Sequence, residues 1–131
     1  MLVIYYNSMN HKSGKRLQEV IETHMPKKKI ETCQTIEELS ERFHRFELGN
    51  IKIAVLLIDS IAEINQIYSI KRLSNDIRII MILPNRSSEL TSSCFKLYPR
   101  FISYIDDDFK DVGLVLSKMI KISDKSSGFN G

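Results

Sequence analysis

The sequence predicts an α/β protein: a five-stranded parallel sheet in the order 2-1-3-4-5, covered by helices on both faces. Three observations carry that expectation. Residues Ile53 to Ile58 form an apolar run without alternation that stops abruptly at Asp59, the pattern of a strand buried on both faces. Ile77 to Leu83 is a second such run, broken only by Arg78. Around these two, β-favouring runs alternate with stretches of helical spacing on short connections, which implies parallel strands joined by right-handed helical crossovers. A chain of 131 residues fits one ordinary domain.

Taken in order, Leu2 to Tyr6 is the first β-favouring run, and Asn7 to Lys12 is a polar loop. Leu17, Val20, Ile21 and His24 share one helical face, and Pro26 ends that helix. Lys27 to Lys29 form a basic corner before a weaker, edge-like strand, Lys29 to Cys33, in which Ile30 and Thr32 alternate with Glu31 and Cys33. Thr35 and Glu38 stand at capping-box spacing, and the stripe Ile36, Leu39, Phe43 and Phe46 continues from them until Gly49-Asn50 stops the helix. After the third strand, Ser60 and Glu63 make a second capping box. Ile61, Ile64, Ile67 or Tyr68, and Leu73 mark the buried face that follows.

Asn75-Asp76 is a turn into the fourth strand, which ends at Pro84-Asn85. Ser87 to Leu97 reads as a helix with Leu90, Cys94 and Leu97 inward, and Pro99 opens a last strand, Phe101 to Ile105. Asp106 to Asp108 precede a final helix carrying Phe109, Val112, Leu116, Met119 and Ile120. The domain is therefore expected over residues 1–122, with 123–131 a flexible polar tail or linker stub. Strand-helix units repeated in so short a chain fit the flavodoxin-like order, first and third strands central and the weak second strand at an edge.

Composition narrows the function classes. The hydrophobic fraction of 43% and charged fraction of 27% are those of a soluble globular domain. A net charge of +3 is mild and disfavours, without excluding, a dedicated nucleic-acid binder. The Lys27–Lys29 corner, without interleaved aromatics, reads as a solvated turn. Cys33 and Cys94 lie far apart in no metal-type spacing, which suits reduced thiols in a cytoplasmic protein. No apolar run approaches the ~20 residues of a membrane span, and the first residues lack the basic start of a signal peptide. His11, His24 and His44 are scattered, so no Ser-His-Asp or Cys-His constellation supports nucleophilic catalysis, and the chain is not expected to be an enzyme.

Asp59 is the residue that most invites a functional question, because in open α/β sheets ligands gather at the carboxyl ends of the strands. Through size, element order and Asp59 at the end of the third strand, residues 1–122 resemble the receiver domain of bacterial response regulators. That family phosphorylates an aspartate there. The resemblance implies an acidic pair after the first strand to hold Mg²⁺, but those places fall on Tyr6 and Asn7. It implies a hydroxyl residue ending the fourth strand, where Leu83 and Pro84 stand, and a lysine ending the fifth, where Asp107 stands. Phosphoryl transfer to a carboxylate needs its charge neutralised, chiefly by the metal. The resemblance therefore points to a degenerate pseudo-receiver in which Asp59 is a phospho-acceptor position without its chemistry. The plainer reading of Asp59 is a carboxylate beside a helix N-terminus, paired with Lys12, Lys15 or Arg16.

Other signals compete. Val3 to Lys15 is also similar to the opening of a flavodoxin, where Ser8, Ser13 and Gly14 would cradle the phosphate of FMN or another nucleotide. The loop is diluted by Met9, His11 and Lys12, so no cofactor is expected. Ser13-Gly-Lys15 lacks the upstream glycine of a P-loop. Asp106, Asp107, Asp108 and Asp111 could hold a divalent cation, alone or with Asp59, but they read better as helix-capping carboxylates. Asp59 and Asp107 are also separated by two strand spacings, about 9–10 Å. Tyr104 falls where receivers often carry an aromatic that changes rotamer. The resemblance implies protein contacts or self-association through the face from Ser87 to Ile122.

Overall fold

The computed structural model describes residues 2–8, 12–45, 52–71 and 77–128. Strands β1 (Leu2–Asn7), β2 (Ile30–Cys33), β3 (Lys52–Leu57), β4 (Ile77–Leu83) and β5 (Phe101–Tyr104) form one sheet in the order β2-β1-β3-β4-β5. Every neighbouring pair is parallel. Helices α1 (Lys12–His24), α2 (Ile36–His44), α3 (Ile61–Lys71) and α4 (Ser88–Cys94) lie between successive strands and α5 (Lys110–Gly128) follows β5, with 3₁₀ turns at Lys27–Lys29 and Phe95–Leu97. This is the expected flavodoxin-like α/β fold.

The central strands bury alternate residues on opposite faces, and each face has its own core. Ile4, Tyr6, Ala54, Leu56, Ile79 and Met81 pack under α2, α3 and α4 with Leu39, Phe43, Ile64, Ile67 and Leu90. Val3, Tyr5, Ile53, Val55, Ile80 and Ile82 pack under α1 and α5 with Leu17, Ile21, Val112 and Leu116. A one-residue slip would exchange these two sets and disturb the packing of both cores. Each fully buried Val, Leu or Ile contributes about 1.5–3 kcal/mol.

The helix ends follow the local chemistry. Thr35 Oγ1 accepts the Glu38 N–H at 3.1 Å and Ser60 Oγ accepts the Glu63 N–H at 3.3 Å. Ser87 Oγ does the same for Leu90 at 3.2 Å. At the other end of α2, the Lys52 ammonium donates to the carbonyls of Arg42, Phe43 and Arg45, placing positive charge where the helix leaves its acceptors open.

Some expectations need correction. His24 is exposed, and the buried stripe of α1 runs through Leu17 and Ile21 to Met25 beyond its end. Ile67, not Tyr68, faces the core. The helix expected over Ser87–Leu97 tightens to a 3₁₀ turn at Phe95. The backbone of α5 is helical to Gly128. Phe46, Gly49-Asn50, Leu73 and Asn75-Asp76 lie outside the described residues.

Candidate functional site at the carboxyl edge of the sheet

The carboxyl ends of β1 and β3 meet the first turn of α3, and the side chain that joins them is Glu63. Its Oε2 accepts the Tyr6 hydroxyl at 2.7 Å and the Ser8 hydroxyl at 3.0 Å. Its Oε1 accepts the Asp59 N–H at 2.8 Å. One carboxylate therefore ties the first loop, the end of β3 and α3 together. Tyr6 stands where the resemblance placed half of an acidic pair, and it acts as a hydrogen-bond donor to this anion. Burial, with Glu63 second, raises the Tyr6 phenol well above its ordinary value.

Asp59 itself is exposed. The expected ion pair with Lys15 or Arg16 does not form: Arg16 donates instead to the Asp107 carbonyl at 3.3 Å and lies over the Phe109 ring at 5.4 Å. The Ser13 hydroxyl, in the first turn of α1, likewise donates to the Ile105 carbonyl at 3.5 Å, on the β5 side. The side chain of Lys12 lies outside the described residues.

A second cluster closes the β4–β5 side. Arg86 bonds Asp106 at 2.8 Å, approaches Asp107 at 3.6 Å, and stacks 4.2 Å above the Tyr104 ring. Ser103 donates to Asp107 Oδ2 at 3.1 Å. The Arg86 guanidinium holds the Asp106 carboxyl below its ordinary value. Asp108 Oδ1 accepts the Lys110 N–H at 3.0 Å, capping α5. Asp106 and Asp107 thus share Arg86 while Asp108 caps α5, and among the described residues no group of three His, Cys, Asp or Glu side chains could hold a metal. Arg86 brings a positive charge to this edge, where Asp106 and Asp107 engage it.

The residues considered for a phosphate cradle are not brought together. Ser8 faces Glu63 and Ser13 faces β5. The Gly14 carbonyl accepts the buried Tyr5 hydroxyl at 2.7 Å, and a Cβ on Gly14 would collide with the Asn7 amide. Any larger residue here would have to displace the Asn7 side chain. A polar cavity of about 180 Å³ lies beside it, lined by Tyr5, Asn7, Lys15, Gln18, Thr32 and Gln34 among others. That is below the roughly 300–1,000 Å³ usual for small-molecule sites.

Sequence reasoning placed Glu63 only as a capping residue and passed over Arg86. The signal for Glu63 was a polar tip, Tyr6, at the end of an otherwise apolar central strand. Cys33 and Cys94 are buried free thiols, each pushed up to about 11 by that burial.

No family model matches the sequence, and no curated protein matches it. Among solved structures, the fold is similar to that of a Burkholderia thailandensis protein carrying the name of a pilus assembly protein, CpaE. The TM-score is 0.59 at 13% identity, over 95% of this chain and 99% of that one. At that identity the likeness is one of fold: the same five-stranded α/β architecture. No helix among the described residues is long and apolar enough to cross a membrane.

Proposed function

We propose that the chain is a receiver-like signalling or interaction module that works without aspartyl phosphorylation, through protein-protein contacts on the face from Ser87 to Ile122. The observation that carries this reading is the Glu63 carboxylate. It already accepts the Tyr6 and Ser8 hydroxyls and the Asp59 N–H, so an anion internal to the chain uses the donors beside Asp59. Magnesium-dependent transfer would bring a second anion to this edge, and Tyr6 and Asn7 offer no carboxylate for the metal. On the β5 side, Arg86 is engaged by Asp106 and Asp107. Exposed Leu114 on α5, 56% accessible, and Phe95 after α4, 58% accessible, give the proposed face its apolar contacts. The module is cytoplasmic and not an enzyme.

The test is intact mass after incubation with Mg²⁺ and a small acyl phosphate, beside an Asp59→Asn control. No adduct is expected under conditions that modify an ordinary receiver. A phosphoryl group on the wild type and not on the variant would overturn the reading.

A further inference from the structure

At the opposite, amino edge of the sheet, the end of α3, the start of β4 and the turn into β5 enclose a groove of about 540 Å³. We propose that this groove docks an acidic peptide segment of a partner protein, anchored by one apolar side chain. The inference rests on the interaction-module reading and gives that module a partner class and a place to bind it.

The groove is lined by Lys71, Ile77, Phe95, Tyr98, Pro99 and Arg100. Phe95 is 58% exposed and Tyr98 82% exposed, an unusual amount of aromatic surface to leave in water. Tyr98 also has a left-handed backbone, φ 50° and ψ 55°. A bulky side chain there carries strain, and no burial of the ring offsets it. Strain held at an exposed aromatic is the pattern of a preorganised contact residue.

The charge selects the occupant. Lys71 and Arg100 line the groove, and Lys96 is exposed in the same turn. No acidic side chain is among its described lining residues, and none of these three cations has an ion-pair partner among the described residues. Lys71 Nζ lies 5.8 Å from the Tyr98 ring centroid, and partial burial lowers its pKa. A partly desolvated ammonium with no counter-ion among the described residues gains from an incoming carboxylate. The apolar floor of Ile77 and Pro99 suits an aliphatic or aromatic side chain between the acidic residues. A single-stranded nucleic acid would need a longer cationic track than this compact cluster provides.

The experiment is fluorescence anisotropy of the full chain with a labelled peptide alternating Asp or Glu with Leu and Phe. Controls replace the acidic residues by Lys, or the apolar ones by Ser, and add an oligodeoxythymidylate. Saturable, salt-sensitive binding is expected for the acidic apolar peptide alone. Binding should weaken at least about tenfold in Tyr98→Asn, Phe95→Ser and Lys71→Glu. Asparagine tolerates the left-handed conformation, so Tyr98→Asn should keep the unfolding midpoint of the parent. No binding, equal binding by the variants, or tighter binding of the oligonucleotide would overturn the proposal. A phosphoryl adduct on Asp59 would instead remove the module reading, and it would leave the peptide titration unchanged.

Discussion

Glu63 shows how much one side chain can decide. Its partner Tyr6 is 57 positions away in sequence, so only the fold could reveal that a helix-capping glutamate also closes the end of β1. Hydrogen bonds to a charged group contribute about 1.5–3 kcal/mol each. Tyr6→Phe and Glu63→Gln should each lower unfolding free energy in urea by about 1–3 kcal/mol, and the double variant should lose less than the sum. If the effects simply add, the two residues do not act as a unit. Tyr6 also belongs to the group of buried residues that sets the alkaline limit. Burial raises Tyr5 and Tyr6 above their ordinary 10.0, and Cys33 and Cys94 above 9.0, to about 11. All four therefore favour the folded state while protonated. That stability is complete below about pH 9 and is lost progressively as pH climbs through the folded values. Urea melts at stepped alkaline pH should show the decline, with a shallower slope in Tyr6→Phe. The thiols should resist alkylation until the chain unfolds.

At the scale of elements, local rules were the most readable part of the sequence. The capping box at Thr35 and the stripe through Leu39 and Phe43 appear in the structure because both depend on residues only three or four apart. Thr35→Ala should cost about 1 kcal/mol, since the Glu38 N–H would lose its acceptor. The other end of α2 was not readable, because its cap, Lys52, comes from the next strand. Lys52→Met keeps the aliphatic stem and removes the ammonium. It should destabilise α2 selectively, seen as faster amide exchange at Phe43 and His44 than in β3. Gly14 belongs to the same class. Its role depends on Asn7 and Tyr5, and Gly14→Ala should lower stability by about 1–3 kcal/mol despite the better helix propensity of alanine. A neutral or stabilising Gly14→Ala would mean that α1 is not held so close to β1.

The whole molecule was legible where burial alone dictates structure. Apolar runs such as Ile53–Ile58 and Ile77–Leu83 have few solutions other than central parallel strands, and handedness narrowed the topologies to which the flavodoxin-like order, with the weak second strand at an edge, was fitted. The site was less legible because an edge of loops is assembled from distant residues: Arg86 with Asp106 and Tyr104, Arg16 with Asp107. Nothing in local spacing brings those together. One feature of the opposite edge sets stability and recognition against each other. Tyr98 holds a conformation that glycine adopts without strain. Tyr98→Gly should therefore melt at a temperature no lower than the parent while forfeiting the peptide, and a marked drop in melting temperature would show that the ring supports the fold. On this view the native chain is not at its own thermal optimum: it tolerates a misfit backbone to keep an aromatic ring in reach of a stranger.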